Sequence, residues 1–580
     1  MKPVRLPAAA TLALPRWALF ALGLLYILPG LIGRDPWKND DAASFGIMWT
    51  MAHGTWQDWL WPNIAGLSMP DEGPLAFWLG ALGIKLFGWL MGDVLAARVG
   101  TVGIFLLGVL SLWYATFNLG RRQDAQPLRL AFGGQPEPDD FGRTLADAAV
   151  LIYLGCLGLL LHSHETTSEA LQVSLVALLL YRTVRYVEGP SLRNAALSGL
   201  AVGLLTLTRG WVTPVCLMLA LFACTRFLDQ PAIRAARDLG ATIAVGGAVA
   251  ALWLLPAQGL QPYHQLPLNA WLAWNLDQLG MPGMLSLRFF FRVGVWFFWP
   301  AWPFAGWAVW AWRRQRRALH IVVPLAFVTM GALLTLFNDQ PEQGQLLVLL
   351  PPLAIMAAFG LLTMKRGAIN AIDWFSVMAL TLCAAVMWVF WIAKLTGWPA
   401  KAAKNALKLV PGFHPELGWI ALLVALAATA GWFVLVHWRI SRQPAVLWRA
   451  VVLSSGGLIL IWILLMTLFL PDVNYSKSYA SVARQIADKL PAGARCIESN
   501  VGPAQRASFA YYAQLPFAGV EGDRCDLLLL QDSIKLRDER EIPARYRDQQ
   551  WKLLWEGRRP ADRDERFRLY RRADQADQAN

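Results

Sequence analysis

Apolar runs of about twenty residues recur along most of this 580-residue chain. A helix needs about 20 predominantly apolar residues to cross the hydrocarbon core of a bilayer. Charged residues make up 16% of the sequence, whereas soluble domains carry roughly 25%. Because a soluble fold would leave much of this apolar surface in water, the sequence predicts a polytopic α-helical membrane protein.

The runs predict about thirteen transmembrane helices. We place them at about 16–33, 94–118, 144–162, 169–187, 193–208, 211–226, 239–257, 291–312, 319–337, 344–364, 371–392, 417–437 and 450–470. Arginine and lysine cluster in alternate loops, as in RRQRR at 313–317, and such enrichment marks cytoplasmic loops. The alternation predicts a cytoplasmic N-terminus, with the 34–93 loop and everything after residue 470 on the outer face.

The predicted organisation has two parts. Residues 1–470 form the transmembrane domain, and its 34–93 loop carries two interfacial helices, DAASFGIMWTMAHG and PLAFWLGALGIKLFGW. Residues 471–580 alternate strand-like and amphipathic helical segments, which predicts a small α/β domain with a disordered tail, RRADQADQAN. A disulfide between Cys496 and Cys525 is permitted on the outer face, and their spacing leaves the pairing open.

The net charge of +13 would also suit a nucleic-acid-binding protein. We exclude that class because the arginines lie in short clusters between apolar runs, where membrane topology accounts for them. One outer segment departs from the topology rule, since it carries Lys394, Lys401, Lys404 and Lys408. The last three share one face of a predicted interfacial helix, which either keeps its lysines in water or contacts anionic lipid headgroups.

Acidic and imidazole side chains collect on the predicted outer face. They are Asp40, Asp41, Asp71, Glu72, His162, His164, Glu165, Glu169 and His264. Three interpretations stay open: a carboxylate that removes a proton from an acceptor hydroxyl, a divalent-metal site, or solvated charges that cap the following helices. The metal interpretation takes Asp71, His164 and His264 as its ligands.

The succession of motifs resembles one known family. The acidic pair in WKNDDAASF precedes a long apolar motif between Trp61 and Gly88, then GLAVGLLTLTRG, PPLAIMAAFGL and an outer segment with SFAYYAQLP. This order is similar to that of membrane glycosyltransferases of the C-type fold, in the superfamily of the protein O-mannosyltransferases and the lipid A aminoarabinose transferases. The resemblance spans most of the chain and implies that fold, with a small C-terminal α/β domain on the periplasmic side.

The resemblance also implies roles for individual acidic residues. The acidic pair of the family aligns with Asp40 and Asp41, and its first member is the usual catalytic base. A second family carboxylate, usually aspartate, falls on Glu169. Asp41 would orient the acceptor, hold a metal or raise the pKa of its neighbour.

Phosphate binding is where this chain departs from the family. The T-K-G segment of relatives reads Thr208-Arg209-Gly210 here, and two further family cations are replaced at Glu72 and near Glu342. Other cations would then have to meet the donor phosphate. The candidates are Arg209, Arg288, Arg292 and Lys38.

The implied activity is inverting transfer of a sugar from a polyprenyl-phosphate donor to a hydroxyl of lipid A, a glycan or a protein. The reaction would take place at the periplasmic face of a bacterial inner membrane, with membrane lipid as a partner and a divalent metal ion as a candidate cofactor. Two alternatives remain from the residues themselves. One is a membrane transporter, and the other is an envelope-assembly protein that keeps the fold without catalysis, for which the missing cations argue.

Overall fold

A computed structural model describes the chain except for residues 1–3, 5, 12–13, 129–133, 229, 260–264, 316, 442–448, 492, 519–524, 535–541, 543–545, 547–549, 563 and 574–580. Helices dominate the described residues. In chain order they are α1 (Arg16–Ile27), α2 (Asp40–His53), α3 (Leu75–Met91), α4 (Asp93–Arg121), α5 (Pro138–Leu154), α6 (Leu157–His162), α7 (Ser168–Glu188), α8 (Leu192–Thr206), α9 (Val212–Thr225), α10 (Ala232–Gln258), α11 (Gln265–Asp277), α12 (Met284–Phe297), α13 (Ala301–Ala311), α14 (Leu319–Leu336), α15 (Gln343–Leu346), α16 (Leu350–Leu361), α17 (Arg366–Thr396), α18 (Ala400–Leu409), α19 (Trp419–Ser441), α20 (Arg449–Leu468), α21 (Leu470–Lys477), α22 (Ala480–Ala487) and α23 (Pro503–Ala513). The strands are β1 (Asn63–Ile64), β2 (Leu67–Ser68), β3 (Ile497–Ser499), β4 (Leu527–Ser533), β5 (Trp551–Gly557) and β6 (Glu565–Arg572).

Each predicted membrane span overlaps one or two α-helices, and the span predicted at 144–162 is divided between α5 and α6. In the described part of the chain, 8 helical segments are long and apolar enough to cross a membrane. They are α4, α7, α10, α14, α15 with α16, α17, α19 and α20, and four shorter apolar helices accompany them. The predicted span at 291–312 divides into α12 and α13 just before Pro300, whose ring removes a backbone donor. The polytopic helical class is thereby confirmed.

The middle of the bundle is formed by α16, every residue of which is buried, lying against α5, α13 and α14. By contrast, α17 and α19 carry exposed apolar side chains such as Leu382 and Ile420. Exposed apolar side chains of this kind are what a bilayer, and not water, would solvate. The bundle therefore has a protein-packed centre and a lipid-compatible outside.

The two helices predicted in the first outer loop are present as α2 and α3. A tight turn at Gly92, with φ +80°, folds α3 back against α4. In turn, α2 packs between α3 and α23 of the C-terminal region. This arrangement joins the first long loop to the last part of the chain, although several hundred residues separate them in sequence.

The C-terminal region contains a four-stranded sheet in the order β3-β4-β6-β5. The first pair is parallel and the other two are antiparallel. A disulfide joins Cys496 to Cys525, which settles the pairing that spacing had left open. The predicted disordered tail begins too early, because Arg571 and Arg572 belong to β6 and pair with neighbouring strands. The rest of that tail lies outside the described residues.

Candidate active site

Several loops meet at one end of the bundle, around the first turns of α2 and α7. The 71–75 loop docks on the connection between α8 and α9, since the Gly73 N–H donates to Thr208 O at 3.0 Å and the Leu75 N–H to Leu207 O at 3.1 Å. Gly73 is required there because a Cβ would collide with the carbonyl of Leu207. These contacts place Asp71 and Glu72 close to Arg209.

Asp41 is enclosed by hydrogen-bond donors. Its Oδ1 lies 3.1 Å from Arg34 Nη2 and accepts bonds from the N–H and hydroxyl of Thr166. Its Oδ2 accepts from the Trp37 N–H at 3.1 Å and from Arg98 Nη2 at 3.4 Å. Burial opposes ionisation, yet the two guanidiniums hold the pKa of this carboxyl below its usual value. Asp41 is therefore a charged anchor, with its oxygens occupied by protein groups.

Asp40 has the opposite surroundings. Its side chain is exposed near Arg209 and Glu169, and within the described residues no hydrogen bond or ion pair holds its carboxyl. Crowding by the surrounding protein, followed by the negative charge of Glu169, raises the pKa of Asp40 to about 6. A free carboxylate that titrates near neutral pH has the properties of a general base.

A buried ion pair forms the wall opposite this carboxyl. Arg209 Nη1 lies 2.6 Å from Glu169 Oε1, and its Nη2 lies 3.6 Å from Glu342 Oε2. The same guanidinium lies over the ring of Trp274, with Cζ 5.5 Å from the ring centre. Gly344 packs so closely against Glu169 that an added Cβ would lie 2.6 Å from its Cγ. Arg209 is thus fixed from three directions.

Glu72, where the sequence resemblance implied a lysine, is buried. One of its carboxyl oxygens, Oε2, has no partner among the described residues. Burial, together with the charges of Asp71 and Glu169, raises the pKa of Glu72 well above its usual value despite the nearby Arg209. This shift favours the protonated, uncharged form of the Glu72 side chain.

A narrow cleft with a cavity volume of about 40 Å³ opens beside Arg209. Its lining combines amide, aromatic and apolar side chains from α7, α9, α11, α14 and α15. Members include Gln172, Trp274, Asn275, Gln278, Gln345 and Val348. Such a mixture of one cation, several amides and an aromatic face suits a polar group that carries an apolar substituent.

The other predicted phosphate ligands lie apart from Arg209. Arg288 and Arg292 are exposed, one turn apart on α12, which packs beside α15. Lys38 lies on the other side, where its N–H donates to Lys477 O at 2.9 Å. Their binding of phosphate stays a prediction.

The predicted metal ligands do not converge in the described part of the chain. Both ring nitrogens of His164 face backbone carbonyls, Nδ1 at 2.6 Å from Leu160 O and Nε2 at 2.7 Å from Tyr26 O. No group of three or more histidine, cysteine or acidic side chains among the described residues is placed to hold a metal ion. His264 lies outside those residues, and Asp71 lies at the cleft near Asp40.

Sequence reasoning missed the two arginines that bind Asp41. A signal for them existed, because Arg34 and Arg98 lie at the outer ends of predicted spans, where the topology rule disfavours arginine. Glu165 was named only as a member of the acidic group. Burial and the charge of Asp41 raise its pKa to about 8, so this side chain too is largely neutral at pH 7.

The bundle and its cleft define a class: polytopic membrane proteins of the glycosyltransferase C-type fold. ArnT from Cupriavidus metallidurans bound to undecaprenyl phosphate superposes with a TM-score of 0.64 at 16% identity, over 95% of this chain and 97% of that one. Apo ArnT gives 0.63 with the same coverage. This confirms the fold that the motifs implied. No family model matches the sequence, and no curated protein matches it either.

Proposed function

We propose that this protein transfers a sugar from a polyprenyl-phosphate donor to a hydroxyl acceptor, with inversion at the anomeric carbon. One observation carries the proposal: Asp40 has an exposed, unpaired carboxyl with a pKa of about 6, close enough to the buried Arg209–Glu169 pair for both charges to act on it. The fold shared with ArnT, whose structure holds undecaprenyl phosphate, supports the donor class.

The carboxylate of Asp40 accepts the proton of the acceptor hydroxyl as the acceptor oxygen bonds to the anomeric carbon. The bond between that carbon and the phosphate oxygen breaks at the same time, and the electron pair leaves with the polyprenyl phosphate. Because phosphate is a stable anion, its departure needs positive charge more than a proton. Arg209 supplies that charge, and Trp274 offers an aromatic face beside it.

The site has one base and no matching general acid in this scheme. Inverting glycosyl transfer normally uses an acid opposite the base when the leaving group is an alcohol, whose oxygen must be protonated as it departs. A phosphate leaving group removes that requirement, so the scheme needs only a base and a cation. The acceptor class (lipid A, another glycan or a protein) and the bacterial periplasmic location are parts of the same proposal.

One observation favours a second candidate, a protein that keeps this fold without catalysis. Arg209 is surrounded by carboxyl groups, and two of them, Glu72 and Glu342, stand where relatives carry cations. If both were ionised, the cleft would repel a phosphate. The raised pKa of Glu72 lessens that repulsion, which is why we rank transferase activity first.

Purified protein in detergent, incubated with a panel of polyprenyl-phosphate sugars and with hydroxyl acceptors of the three proposed classes, tests the proposal. The readout is release of free polyprenyl phosphate by the wild type, Asp40→Asn and, as a matched control on the same predicted face, the exposed Glu416→Gln. We expect loss of a general base to slow release about 10²- to 10⁴-fold, with the control unchanged. Equal release by wild type and Asp40→Asn would place the base elsewhere, and no release by any protein would favour the non-catalytic candidate.

A further inference from the structure

The residue that precedes Asp40 has an unusual backbone. Asn39 has φ +72° and ψ −135°, a region that residues other than glycine rarely adopt. A strained conformation of this kind persists only where the surrounding structure holds it. Since Asp40 is the next residue, the conformation of Asn39 sets the direction in which the Asp40 carboxylate leaves the chain.

The chain after Asn39 is held by Asp41. Its carboxylate is bound to two arginines and to the Thr166 backbone, as described above, so the first turn of α2 cannot rotate without breaking a buried ion pair. Asn39 keeps its conformation only if the chain before it is also held in place. The restraint on residues 33–38 therefore decides the backbone conformation at Asn39.

That restraint comes from α21, more than 430 residues further along the chain. Asn474 Oδ1 accepts hydrogen bonds from the Asp35 N–H at 3.2 Å and from Trp37 Nε1 at 2.9 Å. Its Nδ2 donates to Gly33 O at 2.8 Å. At the end of the same helix, Lys477 O accepts the N–H of Lys38 at 2.9 Å. One amide side chain thus makes three bonds to the short segment that leads into Asn39.

We infer that Asn474 positions the catalytic base: it fixes the 33–38 segment against α21, so that the strained Asn39 keeps the Asp40 carboxylate directed into the cleft. Asn474 contacts no substrate group in this scheme, and it acts through the backbone. The inference rests on the proposed function for its catalytic consequence. The inference makes α21, which follows the last predicted span, part of the structure that positions the catalytic base.

The variant that tests this inference is Asn474→Leu, which removes all three hydrogen bonds at similar side-chain volume. The matched control is Asn500→Leu, because Asn500 also bonds to the backbone, accepting from the Gln531 N–H at 2.7 Å and donating to Gln531 O at 3.1 Å, within the C-terminal sheet region. We expect Asn474→Leu to lower kcat about 10- to 100-fold with the donor KM unchanged, as for a misplaced catalytic group. The control keeps wild-type kcat.

Two further readouts separate positioning from general destabilisation. In Asn474→Leu, the acidic limb of the pH–rate profile moves to lower pH, because the Asp40 carboxyl moves away from Glu169 and into water. Adding Asn39→Gly to this variant restores part of the lost kcat, since glycine adopts a positive φ without strain. A smaller fraction of folded protein would not move the pH–rate profile, and adding Asn39→Gly would not restore its activity.

A measurement independent of activity keeps the inference separable from the proposed function. Hydrogen exchange of the backbone amides in 33–43 rises in Asn474→Leu and not in Asn500→Leu if α21 holds this segment. If exchange is faster in Asn474→Leu but the wild type shows no transferase activity, the restraint by α21 is supported and the proposed reaction is not. Unchanged exchange together with an unchanged pH profile in an active enzyme would overturn the inference.

Discussion

Arg34 Nη2 lies 3.1 Å from Asp41 Oδ1 in the interior of the protein, while the carboxyl of the adjacent Asp40 is open to the cleft. Adjacent positions at the start of a helix point in different directions, about 100° apart around the axis. Two neighbouring acids can therefore have unrelated tasks. In this chain one anchors the loop and the other is free to react.

Asp41→Asn should destabilise the fold, since it leaves Arg34 and Arg98 buried without their counter-charge. Breaking one partner of a buried ion pair costs about 3–5 kcal/mol. Thermal unfolding in detergent, compared with Asp40→Asn as the neighbouring control, measures this. We expect a clear fall in the unfolding temperature for Asp41→Asn and little change for Asp40→Asn. Equal shifts in the unfolding temperature would mean that the ion pairs of Asp41 do not stabilise the fold.

The pH dependence follows from the raised pKa of Asp40. The base must be ionised, so the transfer rate should rise with pH up to about 6 and then level off. Stability moves the other way: the folded protein binds this proton more tightly than the unfolded chain, so the contribution of Asp40 to the free energy of unfolding falls as pH rises from about 4 to about 6. Comparing wild type with Asp40→Asn across that interval isolates both effects. A rate that is flat between pH 4 and 7 would contradict the assignment of Asp40.

The helices were predictable from sequence because the bilayer imposes a strong rule on length and composition. The roles of the two acids were not, because both carry the same charge in the same loop. The two acids differ because Arg34 and Arg98 pair with Asp41 alone. Those contacts depend on how α2 packs near α4 and α7. The raised pKa of Glu72 was equally hidden, since it depends on burial against a loop more than 130 residues away.

Glu72→Gln tests whether the protein needs an ionised carboxyl at this position. An amide is similar in size to a protonated carboxyl and equally uncharged, and the raised pKa of Glu72 favours that form, so the substitution should leave stability and transfer close to wild type. Glu72→Lys introduces a buried cation beside Arg209 and should lower both. Activity and unfolding temperature of the two variants provide the comparison. A large loss in Glu72→Gln would show that the ionised form is the one the protein uses.

Gly344→Ala tests whether the Arg209–Glu169 pair must keep its place. An added Cβ would lie 2.6 Å from Cγ and 2.8 Å from Oε1 of Glu169, so that side chain has to move away from the guanidinium. We expect transfer to fall about 10- to 100-fold, the usual cost of misplacing a group near the reacting atoms by about 1 Å. Gly367→Ala is the matched control, since a Cβ there meets nothing within 4 Å.

The same steric clash predicts that a second substitution can restore part of the activity of Gly344→Ala. Glu169→Asp removes one methylene group and makes room for the new Cβ, so the double variant Gly344→Ala with Glu169→Asp should be more active than Gly344→Ala alone. Release of polyprenyl phosphate by the two single variants and the double variant measures the coupling between positions 344 and 169. If the effects of the two substitutions simply add, the contact between Gly344 and Glu169 does not control the position of the pair.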